Sequence, residues 1–414
     1  MEARLPNGLV VFTIVDHRAP QAAVVTWYRV GSAEDHAGKT GLAHLFEHLM
    51  FKGSPHAADG VLDKLVEEQG GWTNAETEED RTLYMDLATA AFLPRALWLE
   101  ADRMAGLPEA LDEAKLDNQR DVVLNERRET HENQPYGMAG ILIGEALWPK
   151  DHPYHAPVIG YPDDLRAITV DEARAFFAAY YAPSNALMVV AGDVDPEAVR
   201  KTVTQDFGWI PRGPKPRRPV PPEPPPIAEP IRVTAEDAVQ VPRIYSTWRG
   251  VRAYSSDEPA LELVAAMLAG GKSSRLYRRL VVDERLAQDV FAGNQSGELG
   301  GEVQIVATAK PGVDPAKILA AVDEELGRVG EPAELERAKN VREAAFLAGL
   351  ASLTARAELL LRYAVLAGDP DFLDKDLARF RAVTPEEVKR AVARYLAPRA
   401  RVILTIQPRS SHAQ

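Results

Sequence analysis

The sequence contains no cysteine among its 414 residues. This absence excludes a disulfide framework and a thiolate nucleophile, so any metal site must be built from histidine and carboxylate side chains. Positive charge is also in short supply, because 48 Lys and Arg residues are set against 61 Asp and Glu residues, which gives a net charge of -13. We therefore expect neither nucleic acid nor an anionic membrane surface to be a partner.

Long apolar stretches are missing as well. No segment is apolar over a length that would span a bilayer, and Met1–Leu5 lacks the basic start and apolar core of a secretory signal. What remains is the composition of an ordinary globular protein, with 46% hydrophobic and 26% charged residues. The chain is long enough for two domains that each bury a core of their own.

One short motif stands out, His44-Leu-Phe-Glu47-His48, which is an HxxEH arrangement and inverts the HExxH motif of many zinc proteases. On a helix the two histidines lie one turn apart on the same face, so both imidazoles can reach one tetrahedral ion with Glu47 beside them. An apolar stripe at helical spacing over residues 42–49 supports this helix. Two surface histidines with a chance glutamate between them are the alternative interpretation, so the prediction depends on a third ligand.

A third ligand is expected elsewhere in the chain, because a catalytic zinc ion takes three protein ligands and leaves one position for water. The candidate is Glu126, in the segment Gln119–Arg128, whose valines and carboxylate fit an amphipathic helix. Asp121 and Glu129 are the alternative donors from the same stretch.

These residues resemble a known family. An HxxEH helix followed downstream by a VVLNERR helix is similar to the zinc motif of the pitrilysin and mitochondrial processing peptidase family. Members of this family are inverzincins. The resemblance covers nearly the whole chain, since further segments match the family's landmarks in the same order. These are Leu5–Leu9 for the opening hairpin, Gly41–Gly53 for the zinc helix, Gly70–Tyr84 for the substrate strand, His152–Gly160 for a further landmark and Gly270–Tyr277 for the signature of the second domain.

The resemblance implies a role for each residue of the motif. His44, His48 and Glu126 would hold Zn²⁺, and a water molecule bound there would have a pKa of roughly 7. Glu47 would accept the proton of that water and pass it to the leaving amine. Relatives carry an acid seven residues before the third ligand, where it supports the ligands without binding the ion itself. This chain has Gln119 at that position. A site in which zinc is only structural is the competing interpretation.

The resemblance also assigns substrate binding. Residues 70–71 are predicted to form a turn that enters a strand, and in relatives this edge strand accepts the peptide as an additional β-strand. Asn74, Ala75 and Thr77 are therefore expected to bind the substrate, with Asn74 near the cleaved bond. The alternative is that Asn74 only serves the turn.

A proline-rich segment, residues 211–226, divides the chain into nearly equal halves. Proline is excluded from helix interiors and from central strands, so we predict that this segment is an extended linker. A repeat supports the division, because residues 169–183 align without a gap with residues 384–398. A long surface loop within one domain is the alternative.

We predict two copies of one α+β unit, namely a zinc-bearing domain at 1–210, a linker at 211–229 and a second domain at 230–414 without metal ligands. A second correspondence pairs residues 25–30 with residues 246–251 and so aligns Trp27 with Trp248. In the second copy Leu261–Gly270, which has no histidine, stands in the place of the zinc helix. The resemblance implies that each domain is a mainly antiparallel sheet with helices on one face, and that the two form half of a clam-like peptidase.

One pair of family residues is missing. Catalytically complete relatives carry an Arg and a Tyr seven residues apart in the second domain, where they stabilise the oxyanion. Counted from the landmark at Gly270–Tyr277, these positions are Val281 and Gln288, and neither can do this. Arg356 and Tyr363 have the same spacing but lie far along the chain in a long predicted helical stretch. The resemblance therefore implies that a separate homologous subunit supplies the pair.

The resulting hypothesis is a zinc-dependent endopeptidase that cleaves peptides or short unfolded polypeptides in an enclosed chamber, as the metal-bearing subunit of a heterodimer. A self-sufficient homodimeric peptidase and a non-catalytic peptide-binding or scaffold subunit are the alternatives, and the intact set of His44, Glu47, His48 and Glu126 argues against the latter. Because bacterial relatives are often exported, the resemblance also suggests a periplasmic location, with the signal absent from this chain; the cytoplasm is the other expectation.

Overall fold

The computed structural model describes residues 1–216, 218 and 220–409. These residues form two compact units, and neither unit is continuous in sequence. Among the described residues, the first unit takes 1–127, those between 156 and 218, and 348–371, and the second takes 128–155, 220–347 and 372–409. Positions 217 and 219, inside the predicted linker, lie outside the described part of the chain, as do positions 410–414.

The first unit is built on a six-stranded sheet. Its strand order is β1-β2-β6-β3-β5-β4, and every neighbouring pair is antiparallel except β2 with β6. The predicted opening hairpin is present, with Gly8 in the left-handed region at φ 97° between the first two strands. The strands are β1 (Glu2–Arg4), β2 (Val10–Val15), β3 (Gln21–Tyr28), β4 (Trp72–Thr77), β5 (Thr82–Thr89) and β6 (Ala186–Gly192).

Helices cover both faces of this sheet. The central strand β3 buries seven consecutive residues after its first, so neither of its faces can be left to solvent. The helices of the first unit are α1 (Leu42–Leu49), α2 (Val61–Glu67), α3 (Leu93–Ala110), α4 (Glu113–Arg127), α6 (Pro162–Ala167), α7 (Val170–Tyr180), α8 (Pro196–Phe207) and α12 (Leu353–Arg362), numbered in chain order.

A single helix, α12, covers the face of this sheet for which the first half of the sequence supplies no helix. Its Ala357 and Leu361 are buried against Val25, Trp27 and Val189 of the sheet. The helix comes from the second half of the sequence, so the compact unit extends beyond the predicted domain at 1–210. The physical reason is that apolar residues on this face need a partner, which the first half does not supply.

The second unit repeats the plan with a five-stranded sheet in the order β7-β11-β8-β10-β9. Only the pair of β7 and β11 runs parallel. Its strands are β7 (Ile231–Asp237), β8 (Arg243–Arg249), β9 (Ala287–Ser296), β10 (Gly301–Ala309) and β11 (Val402–Pro408). Its helices are α5 (Ala139–Leu147), α9 (Glu258–Ala269), α10 (Pro315–Leu326), most of α11 (Pro332–Gly349), α13 (Leu373–Ala382) and α14 (Pro385–Tyr395).

Here too, one face takes several helices and the other takes one. Trp248 and Leu261 belong to the large core beneath α9, α10, α13 and α14. On the opposite face, Ile143 of α5 packs with Tyr245 and Leu404. The predicted fold class, two mainly antiparallel sheets with helices packed on them, is therefore confirmed, with the addition of one helix on the second face of each sheet.

The repeated segments of the sequence fold alike. Thr169 and Thr384 each cap a helix, and each forms a reciprocal capping box with the glutamate three residues later. Strands β6 and β11 follow these helices, as the alignment of 169–183 with 384–398 predicts. The division of the sequence into two duplicated domains stays a prediction, and the compact units do not follow its boundaries at α5 and α12.

The predicted alignment of Trp27 with Trp248 is wrong by one residue. In the first sheet, Tyr28 lies opposite Ala186. In the second sheet, the register of β8 and β11, extended by one residue, places Trp248 opposite Arg401. Arg401 is the residue that aligns with Ala186 in the repeat. Trp248 is thus the counterpart of Tyr28, and Trp27 lies on the other face. Side chains alternate between faces along a strand, so a shift of one residue exchanges the faces.

In the described part of the chain, no single helix is both long and apolar enough to cross a membrane.

Candidate metal centre

Helix α1 is held firmly at its beginning. Gly41 adopts φ 86° just before the helix, and the Asp35 carboxylate accepts hydrogen bonds from the backbone N–H groups of Gly41 (2.7 Å) and Ala43 (2.9 Å). These contacts satisfy donors that the first turn of a helix leaves open. On its buried side Phe46 stacks on Phe176, with ring centroids 5.5 Å apart. The opposite side of α1 carries its two histidines.

Two histidines and one glutamate converge on one point. The Nε2 atom of His48 lies 3.2 Å from one carboxylate oxygen of Glu126, and the Nε2 atom of His44 lies 3.7 Å from the other. The three donor atoms lie within 4.8 Å of one another, and among the described residues this is the group that could hold a metal ion. The predicted helix around Glu126 is α4, which packs against α1.

The spacing of these donors fits a zinc ion. Tetrahedral ligands about 2.1 Å from zinc lie about 3.4 Å from one another. Each imidazole lies near that distance from one of the two Glu126 oxygens, His48 at 3.2 Å from one and His44 at 3.7 Å from the other. Two imidazoles and one carboxylate are also a ligand set used by catalytic zinc. Asp121, one of the alternative donors, is not part of the group, and Glu129 belongs to the second compact unit.

Glu47 stands beside the donors without being one of them. The Thr77 hydroxyl donates a hydrogen bond of 2.6 Å to its Oε2 atom. Burial raises the pKa of the Glu47 carboxyl above its ordinary value, and the hydrogen bond from Thr77 acts in the opposite direction. The side chain is therefore a fixed carboxylate with an increased tendency to take up a proton.

Strand β4 brings Thr77 to this position and forms one edge of the sheet. Side chains alternate along it, so Ala75 and Thr77 lie on one face and Asn74 lies on the other. Asn74 is exposed and pairs with Met85, which packs on the side of α12. Of the three residues expected to bind substrate, Thr77 thus contacts Glu47, and Asn74 lies on the opposite face of the sheet.

Gln119 lies two turns before Glu126 on α4 and is buried. Its side-chain amide donates to Oδ1 of the neighbouring Asn118 at 2.6 Å. This hydrogen bond keeps the amide within its own helix. The expected support of the three donors by Gln119 stays a prediction.

Positions 281 and 288, where relatives carry the Arg and the Tyr, hold side chains that contact only their own surroundings. Val281 is half-buried in the helical turn of residues 277–283, and the Gln288 amide donates to the Ala309 carbonyl at 3.3 Å. Arg356 pairs with Asp16 inside the first unit. Positions 281 and 288 thus hold neither an Arg nor a Tyr, and the supply of such a pair by another subunit stays a prediction.

Three contacts at this centre could not be identified from the sequence. They are the cap that Asp35 provides for α1, the hydrogen bond from Thr77 to Glu47, and the contact of Arg127, the neighbour of Glu126, with the Gly160 carbonyl. The last two contacts join residues 30 and 33 positions apart, so periodicity and local motifs carry no signal for them. Asp35 lies six residues before Gly41, outside the position of an ordinary capping residue. The family resemblance indicates Thr77 only as a substrate-binding residue and not as a partner of Glu47.

Comparison with known proteins agrees with this geometry. Two family models match the chain, "Insulinase (Peptidase family M16)" over residues 10–143 and "Peptidase M16 inactive domain" over residues 167–342. Zinc protease PqqE of Helicobacter pylori is 31% identical over 369 residues, which cover 87% of this chain and 82% of the relative. The chain belongs to peptidase family M16. The predicted resemblance to pitrilysin and the mitochondrial processing peptidase is thereby confirmed.

Other M16 relatives match over nearly the full length. A protease from Helicobacter pylori has a crystal structure that superposes with a TM-score of 0.91, at 28% identity and with 99% of each chain covered. A structure titled peptidase M16 inactive domain from Pseudomonas fluorescens has a TM-score of 0.87 at 20% identity, with 100% of this chain and 98% of that chain covered, and shows the shared fold. The probable mitochondrial-processing peptidase subunit beta of Arabidopsis thaliana is 25% identical over 423 residues, covering 98% of this chain and 77% of that protein.

Proposed function

We propose that this M16 protein is a zinc-dependent endopeptidase in which His44, His48 and Glu126 hold the ion. One observation carries the proposal: three donor atoms lie within 4.8 Å of one another, and a fourth side chain, the Glu47 carboxylate, stands next to them without joining them. A purely structural zinc site closes its coordination with four protein ligands, whereas three ligands leave a position for water. Relatives named zinc proteases support the same conclusion.

The chemistry is divided among the residues of the centre. Zinc bound there would supply a Lewis acid for the scissile carbonyl and for a water molecule. Glu47 accepts the proton of the attacking water and returns it to the leaving amine. The Thr77 hydroxyl holds the carboxylate in one orientation. His44, which is buried, and His48 are fixed by the packing of α1 on the core.

The proposed substrate is a peptide or a short unfolded polypeptide that joins the sheet at β4. This strand lies at the edge of the sheet, where backbone groups are open to an additional strand. The contact between Thr77 and Glu47 brings that edge to the proposed general base. Binding through the backbone accepts varied side chains, so it suits a peptidase with broad selectivity.

We further propose that a homologous subunit completes the site and the chamber. The support is the occupation of positions 281 and 288 by Val, which has no donor, and by Gln, whose amide donates to the Ala309 carbonyl. A relative named as subunit beta of the mitochondrial processing peptidase is in line with this arrangement. The partner would be recognised as a second M16 chain that carries the Arg and Tyr but needs no zinc ligands.

The test compares the wild type, Glu47→Gln and the control Glu67→Gln, each with its zinc content measured. Glu67 lies exposed at the end of α2. We expect all three to hold zinc, and we expect cleavage of an unstructured peptide in the presence of the homologous subunit to fall about 10²- to 10⁴-fold in Glu47→Gln alone. Equal cleavage by the wild type and Glu47→Gln would contradict the proposed chemistry. Full cleavage by the isolated chain would contradict the need for a partner.

A further inference from the structure

The landmark that ends at Gly160 has no role in the proposed chemistry. The chain continues from it into a loop that contacts both α4 and the residues just before α1. We name residues 159–164, a short loop that runs into the first residues of α6, the clamp loop. Gly160 lies within it at φ 75°, a conformation that other residues rarely adopt. The loop belongs to the same compact unit as His44, His48 and Glu126.

The first contact of the clamp loop is with α4. Arg127, the last residue of α4 and the neighbour of Glu126, is buried, and its guanidinium donates a hydrogen bond of 2.9 Å to the Gly160 carbonyl. A charged donor makes this bond stronger than one between neutral groups. The end of α4 that carries Glu126 is therefore attached to the clamp loop.

The second contact is with the start of α1. A Cβ atom on Gly160 would lie 2.4 Å from the Thr40 carbonyl oxygen and 2.6 Å from the Gly41 Cα, so the two chain segments touch at a distance that only glycine allows. The Thr40 hydroxyl donates to Asp164 at 2.7 Å and accepts from the Tyr161 backbone N–H at 2.9 Å. Gly41 directly precedes α1, so the loop holds the beginning of the helix that carries both histidines.

From these contacts we infer that the clamp loop sets the separation of α1 and α4, and that Arg127 is a positioning residue for the metal ligands. Zinc affinity depends on donors held within a few tenths of an ångström of the required geometry, and groups outside the ligands provide that restraint. His44 and Glu126 lie on different helices, so a change in helix separation alters their distance directly. This inference rests on the proposed function of the centre as a zinc site.

The experiment uses two variants that loosen the clamp from opposite sides, with a matched control on α4. Arg127→Met removes the contact with Gly160, and Thr40→Val removes the contacts of the hydroxyl with Asp164 and Tyr161. The control is Arg120→Met, because Arg120 is also on α4 and also donates to backbone carbonyls, those of Arg166 and Ile168, at 2.9 and 3.0 Å.

Three quantities are measured on the full chain: zinc affinity by competition with a chromophoric chelator, the visible absorption spectrum of the Co²⁺-substituted protein, and the midpoint of thermal unfolding. The Co²⁺ spectrum reports coordination geometry, which a loss of general stability would not change. We expect zinc affinity to fall about tenfold in Arg127→Met and less in Thr40→Val, with an altered Co²⁺ spectrum in both. Arg120→Met is expected to stay within about twofold of the wild type.

Wild-type zinc affinity and an unchanged Co²⁺ spectrum in Arg127→Met and Thr40→Val would overturn the role of the clamp loop. An equal loss in Arg120→Met would also overturn it, because any attachment of α4 would then serve. If Arg127→Met does not fold, Thr40→Val decides the question from the side of α1. A wild type that does not bind zinc would overturn the proposed function and the clamp together, whereas intact binding in the variants overturns the clamp alone.

Discussion

The two compact units place a helix against equivalent strands and use it in different ways. In the first unit, α1 packs on the core with one side and carries His44 and His48 on the other. In the second unit, α9 carries no histidine, and its two glutamates, Glu258 and Glu262, pair with Arg379 and Arg342. Both helices pack on a core, so the difference between them lies in the few polar side chains that each carries.

The difference between α1 and α9 shows which parts of this fold determine function and which determine stability. The same sheet-and-helix plan carries the proposed metal centre in one unit and a continuous apolar core in the other. The distinction depends on a few side chains rather than on the architecture, since function belongs to a site and not to a fold. Changes on α1 should therefore affect chemistry, and changes on α9 should affect folding.

The sharpest way to test this difference is to make α1 resemble α9. His48→Leu replaces one donor by an apolar side chain of the kind that α9 carries. We expect zinc to be lost and peptide cleavage to fall by about 10³-fold, since a metal ion contributes several kcal/mol of transition-state stabilisation. The midpoint of thermal unfolding of the metal-free protein should change little, because His48 is only half-buried. Zinc content by elemental analysis and peptide cleavage are the measurements, and a variant that retains both would refute the expected role of α1.

The opposite change is a cavity beneath α9. Leu261 is fully buried in the core of the second unit, so Leu261→Ala should lower the free energy of unfolding by about 2 to 5 kcal/mol. Zinc affinity per folded molecule should stay the same. Chemical unfolding gives the first quantity and chelator competition gives the second. If zinc affinity fell as strongly as in His48→Leu, the separation of the two roles would be wrong.

A smaller effect is expected at the contact between β4 and the proposed base. Thr77→Val removes the hydrogen bond to Glu47 and should lower kcat about tenfold, with KM nearly unchanged, because orientation of a general base affects the chemical step. Thr77→Ser keeps the hydroxyl and should restore most of the rate. Thr89→Val, on β5, is the control. An increase in KM alone would show instead that Thr77 acts by binding the substrate.

The smallest effect concerns a buried acid in the loop before α1. Burial raises the pKa of Glu34 from the ordinary 4.5 to about 7, although the neighbouring Arg218 acts in the opposite direction. The native state thus holds this proton up to a higher pH than the unfolded state. The contribution of Glu34 to the free energy of unfolding is fully present below about pH 4.5 and is lost as the pH rises towards 7.

Glu34→Gln removes this titration. Between about pH 5 and 7, the free energy of unfolding of the wild type should fall with rising pH more steeply than that of Glu34→Gln, by at most about 1.4 kcal/mol per pH unit. Urea unfolding at several pH values measures the difference. A wild type that gains stability relative to Glu34→Gln over this range would show that the ion pair with Arg218 dominates burial.

Much of the metal centre could be predicted because it follows from helical spacing. One turn separates His44 from His48, and the amphipathic segment around Glu126 predicted a second helix with its carboxylate on the facing side. The structure brings all three together. Such inferences succeed where the local period decides which side chains share a face.

What could not be predicted depends on pairing between distant segments. The strand alignment of Trp27 with Trp248 failed by one residue, because sequence similarity does not define the register of a sheet. The compact units take up α5 and α12 across the predicted domain boundaries, and the sequence carries no signal for this, because an apolar helix does not specify which apolar sheet it will cover. The clamp loop and the contact of Thr77 with Glu47 are of the same kind.

The central claim is that His44, His48 and Glu126 hold one zinc ion. Crystals of the zinc-loaded protein, measured on both sides of the zinc absorption edge, would locate the ion by its anomalous scattering. The account predicts one strong peak about 2.0 to 2.2 Å from the Nε2 atoms of both histidines and from a carboxylate oxygen of Glu126. A peak whose ligands do not include Glu126, or no peak between the two helices, would contradict it.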